Sequence, residues 1–148
     1  MIAEGSTGPK MYNAFEASES EGAKGSTRLH MDMADAVNIM MYAAKREDGS
    51  DGYAVWNIYR AMDSKLIREF LDEHFPGASE GLDPIHSQIH FLDVVLRKQL
   101  FEEKGVGSYR IMQRPGEAVF IPAGCAHQVS NYRFLERIKR ILMDMVCH

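Results

Sequence analysis

Cysteine is nearly absent from this chain: Cys125 and Cys147 are its only two. Two thiols cannot build the disulfide framework of a small secreted domain, so a reducing intracellular compartment is the default expectation. Positive charge is also scarce. Seventeen Lys and Arg stand against 21 Asp and Glu, a formal net charge of -4. There is no basic block of about five or six residues either, so neither a global field nor a local patch draws the chain to nucleic acid. No apolar run approaches the roughly 20 residues of a membrane-spanning helix. The opening segment, MIAEGSTGPK, holds no apolar stretch that would serve as a signal peptide. What remains is an ordinary globular composition, 45% hydrophobic and 26% charged over 148 residues. That is enough for one domain with a real core.

The most informative stretch is 116–131, GEAVFIPAGCAHQVSN. Residues 118–121 are apolar and β-prone and predict a strand. Pro122 has no N–H for a ladder, and Gly124 permits a tight corner. His127 therefore starts the returning strand, where its side chain can point into a barrel mouth. Nearly a hundred residues earlier, 27–33 alternates. Leu29, Met31 and Met33 fall on one face, and Arg28, His30 and Asp32 on the other.

Between these stretches the pattern predicts further elements. Residues 10–15 read as a short strand, and 16–25 as a polar, mobile loop. Residues 36–44, AVNIMMYAA, are apolar on both faces and read as a buried strand, with a helix turn as the alternative. Residues 45–52 form a charged turn ending in Asp51-Gly52, a hairpin signal, and 53–59 make the next strand. Asp63 or Ser64 caps a helix over 65–74, with Leu66, Ile67, Phe70 and Leu71 as its apolar stripe. Asp93 caps a second helix over 94–104, closed by Gly105, with Leu96, Leu100 and Phe101 on the buried side. Strands resume at 108–113, 118–121 and 127–131, and 138–146 suits either strand or helix. Many short strands with one helical insert, about 61–105, indicate a mainly β fold of barrel or jelly-roll type.

Two histidines and one carboxylate on one side of a metal leave its other positions open. That arrangement serves non-haem Fe(II) oxygenases, whose cosubstrate and O2 take the open positions. A His-x-Asp alone is a weak signal. Joined to the five fixed positions of 116–131, it makes His30, Asp32 and His127 the candidate ligands. A Cys/His zinc site through Cys125 is the competing reading, but a structural zinc wants four closed donors and usually thiolates. His74 suits a helix C-terminus, and His86 and His90 read as polar loop contacts.

These residues carry a resemblance. GSTRLHMDMADAVNIMMYA, AVWNIYRAMDSKLIREFL, DPIHSQIHFLD with LRKQLFEEKGV, and GEAVFIPAGCAHQVSN together resemble the JmjC domain. They are most similar to its branch of histone H3 lysine-9 demethylases acting on mono- and dimethyl-lysine, in plant and fungal forms. The stretch covers about residues 8–131, and 116–131 is also similar to the second motif of the cupin superfamily.

The resemblance implies a double-stranded β-helix that binds Fe(II) and 2-oxoglutarate, with His30, Asp32 and His127 as iron ligands. It implies oxidative decarboxylation to succinate and CO2, hydroxylation of a lysine N-methyl group, and release of formaldehyde. Thr27 matches a position that hydrogen-bonds the far carboxylate of 2-oxoglutarate, Asn38 is similar to a polar position near the cosubstrate, and Lys45 is an alternative cation nearby in sequence. Tyr12 resembles a tyrosine facing the methyl-lysine pocket. The implied partners are a histone H3 tail and O2, and the implied location is the nucleus. Other readings on the same fold are a hydroxylase of another protein side chain and a non-catalytic chromatin module. The chain departs from the family pattern in three places. Ala54 stands where many members carry a cosubstrate lysine. YRFLERIKRILMDMVCH replaces the usual closing strand, and the expected upstream strands are lacking.

Overall fold

The structure, a computed structural model, describes residues 17–46 and 49–132. Along this stretch run β1 (Thr27–His30), β2 (Ala36–Ile39) and β3 (Tyr53–Ile58). A 3-10 turn, Ala61–Asp63, leads into α1 (Ser64–His74), and a loop connects it to α2 (Val94–Lys104). Then come β4 (Tyr109–Gln113), β5 (Ala118–Ile121) and β6 (His127–Tyr132). The strands form two antiparallel sheets, β1-β6-β3-β4 and β2-β5. The fold is thus mainly β, with both helices between β3 and β4 in the chain. No helix among the described residues is long and apolar enough to cross a membrane.

Central strand β3 explains the layering. Ala54, Trp56 and Ile58 pack with Val119 and Ile121 of β5 and Val129 of β6. At its end, Tyr59 joins Ile67, Phe70 and Leu71 of α1 and Leu100 of α2. With both faces covered, residues 54–58 are buried without a break, as a strand between two layers must be. Leu29, Ile67, Phe70, Leu71, Ile85, Leu92 and Leu100 are each 0% exposed. Each such burial stabilises by roughly 1.5–3 kcal/mol, against about 1 kcal/mol for a good helix cap. Packing on the sheet, rather than capping, therefore holds the helices.

The caps differ from each other. Asp93 caps α2 as the sequence predicts: its Oδ1 accepts from the Val95 and Leu96 amides, both at 2.9 Å. Its Oδ2 also accepts from the Gly22 amide at 2.7 Å, which the spacing did not foretell. Gly105 ends the helix in the left-handed region, φ 67°. At α1 neither candidate caps. Asp63 gives its carboxylate to Arg60 at 2.7 and 2.9 Å. The Ser64 hydroxyl donates instead to the Gly124 carbonyl, at 3.4 Å.

Several expectations are overturned. The 36–44 stretch is not buried on both faces: β2 stops at Ile39, and Val37, Ile39, Met41 and Tyr42 are exposed. Its only strand partner among the described residues is β5, so just the Ala36 and Asn38 side looks inward. Met33 is 84% exposed because β1 ends at His30, before the alternation reaches it. Phe101 is exposed, since Leu96 and Leu100 already occupy the narrow stripe that α2 turns inward. His90 is not a polar contact: its ring is buried against Phe75, 5.0 Å between centroids, and Nε2 has no hydrogen-bond partner among the described residues. Nor is 17–25 a loose loop. Buried Glu19 lies between Arg97 and Arg110, and Gly25 closes onto the Phe91 ring. The expectations for residues 10–15, 138–146 and Tyr12 lie outside the described residues.

Candidate metal centre

Strands β1 and β6 are neighbours, and their register sets His30 directly opposite His127. The pairing slips between Thr27–Val129 and His30–His127, so three steps on β1 match two on β6. Such a bulge is a common way of re-aiming a side chain beside a site. The two imidazole centroids are 4.2 Å apart at 54°. Asp32 follows just beyond the end of β1, its Oδ2 3.9 Å from His127 Nε2. One ligand-capable atom from each of the three residues lies within 4.8 Å of the other two.

The histidines are presented in a defined tautomer. His30 Nδ1 is 2.8 Å from the Arg28 carbonyl, and His127 Nδ1 is 3.0 Å from the Cys125 carbonyl. A nitrogen facing a carbonyl must carry the proton, so each ring keeps its Nε2 lone pair for a metal. Both carbonyls belong to the residue two positions earlier, a relation the motif spacing did not single out. His127 is 3% exposed. Burial holds its pKa below the ordinary histidine value and nearby His30 acts the same way, outweighing the Cys125 hydrogen bond and the Asp32 charge. The neutral imidazole that results is the form that coordinates.

Segment 32–35 also shapes the corner that carries His127. The Gly124 amide donates to the Asp32 carbonyl at 2.9 Å, and the Ala123 amide to Asp35 Oδ1 at 2.8 Å. Sequence reading missed Asp35, because an aspartate in a polar turn has many roles that spacing cannot separate. Behind His127 stands Trp56, 6.0 Å away at 27° between ring planes.

The donor set suits a borderline divalent ion. Two imidazoles and a carboxylate converge, and among the described residues no other group of three such side chains does. Bonds near 2 Å set neighbouring donors roughly 3 Å apart, so the three side chains must draw in from these separations to bind a metal. The thiol of Cys125 is not part of the cluster; that residue contributes its carbonyl, to His127. This disfavours the closed thiolate zinc site.

The remaining sequence-predicted residues are placed as follows. Asn38 is half-buried, its Oδ1 3.2 Å from Gln113 Nε2. Thr27 is exposed at the start of β1, opposite Val129. Lys45 forms an ion pair with Asp51 at 2.6 Å in an exposed bridge.

Two histidines on neighbouring antiparallel strands, with a carboxylate just past the end of one, define the class: a β scaffold with the donor set of a mononuclear metal protein. Residues 22–138 match the family described as JmjC domain, hydroxylase, and the chain belongs to that family. It is 39% identical to lysine-specific demethylase 3A-B of Xenopus laevis, over 84% of this chain and 12% of the relative. It is likewise 39% identical to lysine-specific demethylase 3 of Drosophila melanogaster, over 84% of this chain and 18% of the relative. To human lysine-specific demethylase hairless it is 31% identical, over 95% of this chain and 14% of the relative. The chain thus spans under a fifth of the length of these curated relatives.

Proposed function

We propose that this chain is an Fe(II)- and 2-oxoglutarate-dependent dioxygenase domain that demethylates mono- and dimethyl-lysine on histone H3, at lysine 9, in the nucleus. The observation that carries the reading is the convergence of His30, Asp32 and His127, with both Nδ1 atoms tied to backbone carbonyls. Relatives named as lysine-specific demethylases support it. Nε2 of His30, Nε2 of His127 and the Asp32 carboxylate would hold the iron. When bound, iron and 2-oxoglutarate supply the O2-derived oxidising power that hydroxylates an N-methyl group, which then leaves as formaldehyde.

The residues of this chain orient and shield. The Arg28 and Cys125 carbonyls fix the ligand tautomers, and Trp56 with its apolar neighbours keeps water from His127. We assign Thr27 to the far carboxylate of 2-oxoglutarate and Asn38 to a polar contact near the cosubstrate. Lys45 would have to leave Asp51 to reach it. Tyr12 is assigned to the methylammonium, for which an aromatic face is the natural contact. The two antiparallel sheets are read as the facing walls of a double-stranded β-helix. Residues 1–148 are read as one domain, with 61–105 as its helical insert.

The test is a titration of metal-free protein with Fe(II) under anaerobic conditions, followed by succinate and formaldehyde assays on an H3 peptide dimethylated at lysine 9. His30→Ala and His127→Ala are each expected to abolish stoichiometric iron binding. Iron retained by either variant would overturn the ligand assignment. Peptide-dependent formaldehyde supports demethylation. Succinate formed only with another protein substrate would instead make the chain a hydroxylase, and bound iron without turnover a non-catalytic module.

A further inference from the structure

Gln113 is 1% exposed, and no motif in the sequence singles it out. Its amide is fully engaged. Oε1 accepts from the Trp56 indole nitrogen at 2.8 Å. Nε2 lies 3.0 Å from the Asn38 carbonyl, 3.2 Å from Asn38 Oδ1 and 3.0 Å from the Glu117 carbonyl. These partners dictate which way the amide points. An indole N–H only donates, so it must face the oxygen, while the acceptor oxygens must face the NH2 group. Two protons serve three acceptors, so one bond is shared. A single side chain on β4 thereby grips the first sheet through Trp56, the second through Asn38, and the turn before β5 through Glu117.

Trp56 is 5% exposed and stacks on the His127 ring at 6.0 Å. The His127 imidazole is tethered along one edge by its Nδ1 bond to Cys125. A single edge tether still lets a ring tilt, and a fixed aromatic plate against its face limits that tilt. Trp56 is such a plate only while its own indole is held, and Gln113 is what holds it.

We propose that Gln113 is a positioning residue for the metal centre: it locks Trp56 against the His127 imidazole and ties that plate to Asn38 on the facing sheet. The proposal rests on His127 being a ligand. Buried amides of this kind are otherwise sheet-to-sheet straps, which affect stability alone. The two roles separate in metal affinity, because groups that orient a metal ligand typically carry about 10–100-fold of it.

Trp56 is the only tryptophan in the chain, so its fluorescence reports directly on this plate. Co(II) is the probe, with its dissociation constant measured by equilibrium dialysis and, where Trp56 is present, by quenching. Gln113→Met keeps the volume and removes every polar bond. Trp56→Phe keeps a ring and removes the indole donor. Each is expected to weaken Co(II) binding about 10-fold. The double variant is expected to be no weaker than the worse single one, since both act through one contact. A folded Gln113→Met protein with the wild-type Co(II) constant would overturn the proposal, as would losses that multiply in the double variant. If Gln113→Met does not fold, Trp56→Phe decides alone: wild-type affinity there refutes the role of the plate. Undiminished Co(II) binding by His127→Ala would overturn the ligand reading itself, and the proposal with it.

Discussion

Replacing Glu19 with Ala should destabilise the fold far more than its place in a polar N-terminal stretch suggests. Glu19 is 6% exposed. Its Oε1 accepts from Asn57 at 2.8 Å and lies 3.1 Å from Arg97. Its Oε2 accepts from Arg110 at 2.8 Å and from the Tyr132 hydroxyl at 3.3 Å. Its backbone carbonyl receives the Val94 amide at the head of α2. Removing one member of a buried pair costs roughly 3–5 kcal/mol, because the partner charge is left without compensation. Arg110 is half exposed and water can rescue it, but the Arg97 side chain is only 17% exposed. The lower end of the range, about 3 kcal/mol, therefore applies. For a domain of this size each kcal/mol moves Tm by roughly 2–4 °C, so a fall of about 6–12 °C is expected.

The pH dependence follows in sign. Burial raises the Glu19 pKa, but the Arg110 and Asn57 hydrogen bonds and the two guanidinium charges outweigh it, and the net shift is downward. A depressed carboxylate stabilises above its unfolded value, near 4.5, and loses that contribution as pH falls through the folded value. Urea denaturation of wild type and Glu19→Ala at pH 7 and at pH 3 measures both effects. The difference should be large at pH 7 and smaller at pH 3. A loss under about 1 kcal/mol at pH 7 would show that the cluster behaves as a surface ion pair and that the reasoning is wrong.

Gly25→Ala drives a Cβ into the edge of the Phe91 ring, at a backbone with φ 63°. A left-handed penalty of about 1–2 kcal/mol adds to overpacking of about 1–3 kcal/mol. Calorimetry should therefore show a clear drop in Tm, and an unchanged Tm would mean the strap over Phe91 is not formed. Metal-free protein should lose stability as pH falls below about 6.5, the ordinary histidine value. Buried His127 and His90 both titrate below the ordinary value, His127 chiefly and His90 first by burial, so the unfolded chain takes up protons before the native state does. His127→Gln and His90→Phe should each flatten that slope in a thermal-melt series, and slopes equal to wild type would refute the assignment.

The candidate ligands were legible because their signals are local. Pro122, Gly124 and His127 at fixed spacing describe a strand, a corner and a returning strand, and the helix signals at Asp93 and Gly105 are equally local. Exposure was not legible. The 36–44 stretch is apolar on both sides, yet periodicity cannot say whether a second layer will cover it, and among the described residues its outer side stays exposed. Glu19 is an acidic residue among serines until Arg97 and Arg110, both more than seventy positions away, close on it. Gln113 looks like any polar strand residue until two sheets meet at its amide.

Residue types at fixed spacing determined which side chains could bind a metal and roughly where strands turn, since backbone sterics and ligand chemistry act over a few residues. The meeting of His30 with His127 and the partners of buried Glu19 and Gln113 were decided only by tertiary structure. Strand register and desolvation are set between segments that lie far apart in the chain.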